Sequence, residues 1–177
     1  GVGKTADEIK LAIKKNVLLI NMESENEANL INKISNQMSR ITSVGLRLNP
    51  NVTGKTNKKI STGSKDDKFG LVYNDYISIC KKIKKMKNLR LEGLSVHIGS
   101  QITKIKPFKK VLNVINKIIN KTNINFKYID LGGGVGIPYS TKDKKINLKE
   151  YARLVDRFAK NRNAKIIFEP GRFIAGN

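Results

Sequence analysis

Three short stretches of the sequence combine side chains that can do chemistry with glycines that bring the backbone close to a ligand. They are HIGSQ at His97–Gln101, DLGGGVGIPY at Asp130–Tyr139 and EPGR at Glu169–Arg172. Each stretch ends or directly follows a short apolar run that is typical of a buried strand. Together they offer an imidazole, a hydroxyl, three consecutive glycines, a carboxylate and a guanidinium.

The glycine run is the clearest indication of a binding site. Gly132, Gly133 and Gly134 directly follow an apolar strand, where glycine can adopt a positive φ and let the backbone approach a ligand. The amides of such a bend can form a nest for an anion, so we expect phosphate binding rather than a merely flexible turn. A dinucleotide fingerprint is excluded because Tyr139 stands where its last glycine belongs and no helix begins there.

The imidazole and the carboxylate extend this site. His97 is the only histidine; at a strand end beside Gly99 and Ser100 we interpret it as functional rather than as scaffold. Glu169 ends an apolar strand, where an unpaired buried carboxylate is costly, and its cationic partner is either Arg172 or a protonated ring nitrogen of a cofactor. A phosphate nest, a ring-stacking group and a carboxylate for a pyridinium are the requirements of pyridoxal phosphate.

The elements that must position these groups alternate along the chain. Short apolar runs predict five strands, at 17–22, 44–48, 91–98, 128–131 and 165–168. Helical periodicity predicts five helices, at about 5–15, 24–38, 74–88, 107–121 and 147–161. Capping boxes at Thr5–Glu8 and Ser24–Glu27, and a similar pattern at Asn147–Glu150, indicate where three of them begin. Strands that are apolar on both faces and alternate with helices favour an α/β fold with a parallel sheet, either doubly wound or a barrel. A barrel gathers its chemistry at the C-terminal strand ends, where the unusual residues fall here. We therefore predict an incomplete (β/α)8 barrel.

Composition narrows the class of protein. Of the 177 residues, 39% are hydrophobic, and 35 Lys and Arg stand against 14 Asp and Glu, giving a net charge of +21. A basic polyanion-binding module is therefore an alternative, but the lysines lie on the polar sides of helical patterns and aromatic residues are scarce, so we expect no specific nucleic-acid partner. No run approaches the ~18 apolar residues of a membrane span, so no membrane partner is expected. The single Cys80 lies on an apolar helix face as core filler and fits a cytoplasmic protein.

Seven stretches of this sequence resemble diaminopimelate decarboxylases, a family of pyridoxal-phosphate enzymes with an alanine-racemase-like barrel. They are, in order, GVGKTADEIKLAI, INMESENE, RLNPNV, ISTGSKDDKFG, HIGSQI, IDLGGGVGIPY and FEPGRFIAGN. The resemblance extends over essentially the whole chain. It also explains GVGKT at Gly1–Thr5, which otherwise looks like the end of a phosphate-binding P-loop: in the family it is the loop after a barrel strand, and Thr5 begins the next helix.

The resemblance implies a role for each site residue. His97 would stack on the cofactor ring, and Glu169 would pair with the pyridine nitrogen; these two are the expected catalytic residues. The phosphate would be held by Ser100 and the glycine amides, with further contacts from the EPGR turn. The expected cofactor-binding residues are thus His97, Ser100, Gly132, Gly133, Gly134, Glu169, Gly171 and Arg172. Arg172 would also meet a substrate carboxylate. The implied reaction is decarboxylation of meso-diaminopimelate to L-lysine, the amino-acid product of lysine biosynthesis. No metal site is expected.

The resemblance also implies that residues 1–177 are the central and C-terminal part of the barrel. The family's Schiff-base lysine would lie upstream of Gly1, and the C-terminal β-domain downstream, so the segment alone would be inactive and the full-length protein a homodimer. One departure is Ser95, where the family often has histidine. Two alternatives stay open: another amino-acid decarboxylase of the same barrel class, and a homologue that binds phosphate or pyridoxal phosphate without catalysis.

Overall fold

A computed structural model of the protein describes residues 1–52, 69–160 and 162–176. The helices are α1 (Ala6–Lys14), α2 (Glu25–Gln37), α3 (Tyr73–Ile83), α4 (Ile105–Thr122), α5 (Leu148–Ala159) and α6 (Gly171–Ala175). The strands are β1 (Ile20–Met22), β2 (Thr42–Leu48), β3 (Leu89–Val96), β4 (Tyr128–Asp130) and β5 (Lys165–Ile167). Strands and helices alternate as the sequence predicts.

The five strands form one parallel sheet in the order β1-β2-β3-β4-β5. Sequential order means that each crossover helix returns the chain to the neighbouring strand, which is the arrangement of a β/α barrel rather than of a doubly wound sheet. The predicted class, an incomplete barrel of about five parallel strands with covering helices, is confirmed.

The two faces of the sheet differ in chemistry. In β2, Val44, Leu46 and Leu48 are buried in the hydrophobic core that the helices complete. On the other face the same strand carries Gly45 and Arg47, and Arg47 lines a cavity there. Alternation of side chains along a strand puts small and polar groups on this second, concave face.

Side-chain capping explains where α1, α2 and α5 begin. Thr5 accepts a hydrogen bond from the backbone N–H of Glu8, and the Glu8 carboxylate accepts one from the backbone N–H of Thr5, which completes the predicted capping box. Ser24 accepts from the backbone N–H of Glu27, but the Glu27 carboxylate accepts from Glu23 instead, so only half of the second predicted box forms. Asn147 caps α5 through the backbone N–H of Glu150 at 3.1 Å.

Three elements depart from the sequence prediction. Strand β1 begins at Ile20, three residues after its predicted start at Val17, whose side chain is 46% exposed. Helix α6, with only five residues, was not predicted because a single turn after Pro170 is too short to show periodicity. Helix α3 ends at Ile83, five residues before its predicted end. The predicted core position of Cys80 is confirmed, since its side chain is 1% exposed and burial raises the pKa of its thiol to about 12.

The stretch between Asn49 and Gly70 is polar and rich in turn-forming residues, and loops of that length in a compact domain usually serve function. Most of it lies outside the described residues, as does Asn161 at the predicted end of α5. Within the described ranges, no helix combines the length and the apolar character needed to cross a bilayer. No group of three or more possible metal ligands is found in that part of the chain either.

Candidate active site

The three stretches singled out in the sequence lie side by side at the C-terminal edge of the sheet. The main-chain N–H of Glu169 donates to the carbonyl oxygen of Gly132 at 2.9 Å, which joins the EPGR turn to the glycine bend. Ile102, just after HIGSQ, donates to Gly134 at 2.8 Å and accepts from Gly136 at 3.0 Å. The parallel strands therefore bring His97, the glycine run and Glu169 to one rim.

Close contact between neighbouring strand ends explains why the run must be glycine. A Cβ on Gly132 would lie 2.4 Å from the carbonyl oxygen of Val96, and one on Gly133 would lie 2.1 Å from that of Glu169. A Cβ on Gly134 would lie 2.3 Å from the Gly99 oxygen. The expectation that the glycines make room for a ligand is therefore incomplete: they first make room for the backbone on either side.

The amides of the glycine run differ in availability. Gly132 donates to Oδ1 of Asp130 at 2.8 Å, and Gly133 donates to Nδ1 of His97 at 3.3 Å. Within the described part of the chain, no acceptor is found for the N–H of Gly134, whose φ is +86°. An anion at this bend can bind the Gly134 amide directly. To bind an anion, the Gly133 amide would have to give up its long hydrogen bond to His97.

The protonation state of His97 follows from its contact with the bend. Because Nδ1 accepts the Gly133 N–H, the proton of the neutral ring is assigned to Nε2. Burial and the positive charge of Arg47 lower the pKa of His97, and the negative charge of Glu169 opposes them. The ring is therefore neutral near pH 7, which suits a flat stacking surface.

Arg172 binds its neighbours rather than the nearby carboxylate. Its Nε donates to Oγ of Ser100 at 2.9 Å, and its Nη1 donates to the hydroxyl of Tyr139, over whose ring the guanidinium lies at 5.9 Å. Glu169 is exposed rather than buried as predicted, and no hydrogen bond or ion pair of its carboxylate is found among the described residues. The alternative in which Arg172 pairs with Glu169 is therefore not what the structure shows. Gly171 begins α6, and a Cβ on it would meet no atom within 4 Å.

A cavity of about 280 Å³ lies on the concave face beneath this rim. Its lining residues are Gly1, Asn21, Glu23, Arg47, Ser95, Val96, His97, Asp130 and Glu169. Arg47 is ion-paired with Glu23 at 2.7 Å. A larger cavity of about 420 Å³ lies at the opposite, N-terminal end of the strands, where Glu92 pairs with Lys127 and Ser43. In β/α barrels the C-terminal end carries the chemistry, so the smaller cavity is the candidate site.

Sequence reasoning missed Asp130 and Arg47 as site residues. Asp130 is 3% exposed, and burial, with a contribution from the Glu169 charge, raises the pKa of its carboxyl to about 6 despite hydrogen bonds from Gly132 and Asn21. The signal was a charged residue inside an apolar strand, in YIDL and VGLRL, because such a residue needs a partner or a function.

These residues fit pyridoxal phosphate. The Gly134 amide, the Ser100 hydroxyl and the Arg172 guanidinium can bind a phosphate, and the exposed Glu169 carboxylate can accept a hydrogen bond from a protonated ring nitrogen. The neutral His97 ring accepts a hydrogen bond from the glycine bend and lines the same cavity as Glu169. The site thus offers an anion cradle, a stacking surface and a carboxylate in one place.

Comparison with known proteins gives one consistent result. The model of the pyridoxal-binding domain of pyridoxal-dependent decarboxylases matches residues 1–176. Two curated relatives, both named diaminopimelate decarboxylase, are 36% identical (Aquifex aeolicus) and 38% identical (Neisseria meningitidis serogroup A) over 181 aligned positions. Both alignments include the whole of this chain but only 43% and 44% of the relatives, so the chain spans less than half of their length.

Solved structures agree with the sequence comparisons. A diaminopimelate decarboxylase from Helicobacter pylori, complexed with L-lysine, matches with a TM-score of 0.92 at 34% identity, over 98% of this chain and 45% of that one. The M. jannaschii enzyme, also with L-lysine, has a TM-score of 0.80 at 33% identity and is covered over 41% of its length. A lysine decarboxylase from Selenomonas ruminantium, 21% identical with a TM-score of 0.75, shares the fold.

Proposed function

The chain belongs to the family of pyridoxal-dependent decarboxylases through their pyridoxal-binding domain, and from that membership we propose that its protein decarboxylates meso-diaminopimelate to L-lysine. The observation that carries the proposal is the meeting of HIGSQ, the glycine bend and EPGR on one rim above the 280 Å³ cavity. The curated relatives named for this substrate align with all of the chain, which favours it over other amino acids.

We assign the site residues as follows. The phosphate is bound by the Ser100 hydroxyl and the amide of Gly134, with those of Gly132 and Gly133 close by. Gly171 and Arg172 complete the anion cradle from the EPGR turn, and Arg172 also faces the substrate carboxylate. Two observations support this: Arg172 already contacts Ser100, and the Gly134 amide has no acceptor within the described residues.

The remaining residues act on the ring. Pyridoxal phosphate, when bound, supplies an electron sink for the electron pair left by the departing carbon dioxide. The Glu169 carboxylate holds a proton at the ring nitrogen, since a carboxylate that accepts a charge-assisted hydrogen bond favours the protonated form of its donor. His97 packs against the ring face as a neutral imidazole, so it adds no positive charge beneath a ring that must stay protonated.

The rest of the protein completes the enzyme in this proposal. We place the five strands in the central and later part of an eight-stranded barrel, with the cofactor lysine and the β-domain in the remainder of the length that the relatives span. The proposed active form is a homodimer, and the proposed compartment is the cytoplasm.

The test is a comparison of substrates with the protein at its full encoded length. Purified protein with pyridoxal phosphate is expected to release carbon dioxide and form L-lysine from meso-diaminopimelate, while ornithine, arginine and lysine are not decarboxylated. Faster turnover of one of those three would reassign the substrate. Cofactor binding without release of carbon dioxide from any of them would identify a non-catalytic homologue.

A further inference from the structure

A side-chain hydrogen bond crosses the concave face of the sheet beneath the site. Nδ2 of Asn21 on β1 donates to Oδ2 of Asp130 on β4 at 3.1 Å, although β2 and β3 lie between these strands. In a flat sheet three strand spacings amount to roughly 14 Å, which two short side chains cannot bridge. The contact therefore depends on the curvature of the partial barrel and joins its first strand to its fourth.

Strand β2, one of the two strands between them, leaves room for this contact. Gly45 on β2 pairs with Asn21 in the sheet register. A Cβ on Gly45 would lie 2.0 Å from Oδ1 of Asn21, so any larger residue there would displace the amide. Asn21 thus lies across the concave surface of β2 on its way to Asp130.

The other carboxylate oxygen of Asp130 holds the start of the glycine bend. Oδ1 accepts the main-chain N–H of Gly132 at 2.8 Å, a local turn in which the side chain binds the backbone two residues on. Gly132 has φ +65°, and its carbonyl oxygen accepts from Glu169. Asp130 therefore fixes the first peptide of the bend from below while the EPGR turn holds it from the side.

Both oxygens of Asp130 are engaged, whereas no partner of the Glu169 carboxylate is found in the described ranges. Three acidic groups line the cavity, and they have different tasks. Glu23 is paired with Arg47, Asp130 is committed to the protein, and Glu169 is available to a ligand. Removing Asp130 or Asn21 would release the Gly132 peptide without removing any group assigned to the ligand.

We propose that Asp130 and Asn21 are positioning residues that hold the glycine bend in its phosphate-binding shape through the Asn21–Asp130–Gly132 hydrogen bonds; this rests on the function proposed above. The bend then presents the Gly134 amide to the phosphate, and its shape depends on β1, remote in sequence. The consequence is specific to the phosphate group, since neither residue is assigned to the ring.

The test measures a preference rather than an affinity. Dissociation constants for pyridoxal and for pyridoxal 5′-phosphate are determined by fluorescence titration of the protein at its full encoded length. The constant for pyridoxal divided by the constant for pyridoxal 5′-phosphate reports the contribution of the phosphate. D130A is expected to reduce this ratio about tenfold and N21A about threefold, because a buried N–H or carboxylate loses its partner. D130N keeps an acceptor for the Gly132 N–H and is expected to stay within about twofold of the wild type.

A matched control removes a buried hydrogen bond elsewhere. Oγ of Ser35 lies 2.7 Å from Oγ1 of Thr42, and neither residue lines the candidate cavity, so S35A is expected to lower stability and leave the ratio unchanged. A wild-type ratio in both D130A and N21A would overturn this inference and leave the proposed function standing. A reduction in S35A as large as that in D130A and N21A would have the same meaning. If D130A does not fold, N21A decides. A wild-type protein without preference for the phosphorylated compound would instead refute the proposed function.

Discussion

The main-chain N–H of Gly133 donates to Nδ1 of His97 at 3.3 Å, so the glycine bend and the imidazole are bonded to each other before any ligand is considered. The contact requires His97 to present an unprotonated nitrogen, and it therefore links the protonation state of the ring to the shape of the bend. The residue proposed to stack on the ring and the glycines proposed to bind the phosphate are therefore structurally coupled.

His97 is expected to titrate below its ordinary value of 6.5, because burial and Arg47 both disfavour the imidazolium. E169Q should lower the pKa further, since the Glu169 charge raises it, and R47M should move it up. Because the folded state binds the proton less well than the unfolded state, the contribution of His97 to stability falls as pH decreases from 6.5 through the folded-state pKa. NMR titration of the single imidazole measures this pKa in the wild type, E169Q and R47M. A pKa above 6.5 in the wild type would contradict the prediction.

The contribution of Asp130 to stability depends on pH in the opposite direction. Its pKa of about 6 lies above the ordinary 3.8, so stability is lost as pH rises through that range. D130N removes the buried charge, and its stability relative to wild type should improve between pH 4 and pH 8 by up to about 3 kcal/mol. Urea denaturation at the two pH values measures this difference. An unchanged difference would mean that the carboxyl is ionised in the folded protein at pH 4.

Two glycines of the proposed phosphate site should respond differently to alanine. G133A drives a Cβ to 2.1 Å from the Glu169 carbonyl oxygen and is expected to destabilise the protein by about 2 kcal/mol or more. G171A meets no atom within 4 Å at the first residue of α6 and should leave stability within about 0.5 kcal/mol of wild type. Thermal unfolding compares the pair, and equal losses would refute the packing argument.

Arg172 should contribute to anion binding through its fixed orientation. R172M removes the guanidinium, and we expect at least a tenfold higher dissociation constant for pyridoxal 5′-phosphate. S100A removes one acceptor that orients it, as well as a proposed phosphate contact, and should have a smaller effect. Y139F removes only the hydroxyl that accepts from Arg172 and serves as the comparison. Fluorescence titration ranks the three variants; a larger loss in Y139F than in R172M would contradict this assignment.

The 177-residue chain by itself is expected to lack decarboxylase activity. Among the described residues, no lysine lines the candidate cavity, and the nearby Lys4 is paired with Glu27 at 2.6 Å. In the sheet formed by the described residues, strands β1 and β5 each have one neighbour, so aggregation of this chain is also expected. Incubation with meso-diaminopimelate and pyridoxal phosphate, followed by carbon dioxide measurement, tests the first point. Release above the level of a boiled sample would refute it.

Local signals in the sequence were sufficient for the framework of this protein. Apolar runs predicted the five strands, and a Thr5–Glu8 capping box predicted the start of α1, because periodicity and capping depend on residues a few positions apart. The three chemical stretches could be placed on one rim because parallel strands all present their carboxyl ends to the same edge.

The tertiary structure alone decided what those stretches touch. The Asn21–Asp130 hydrogen bond joins residues 109 positions apart. Arg47 on β2 shares a cavity with His97, which directly follows β3. The reason for the glycine run also emerged only here, since it depends on carbonyl oxygens of Val96, Gly99 and Glu169. Sheet curvature and the separation of strand ends arise from the packing of all elements together, so no local pattern of residues can specify them.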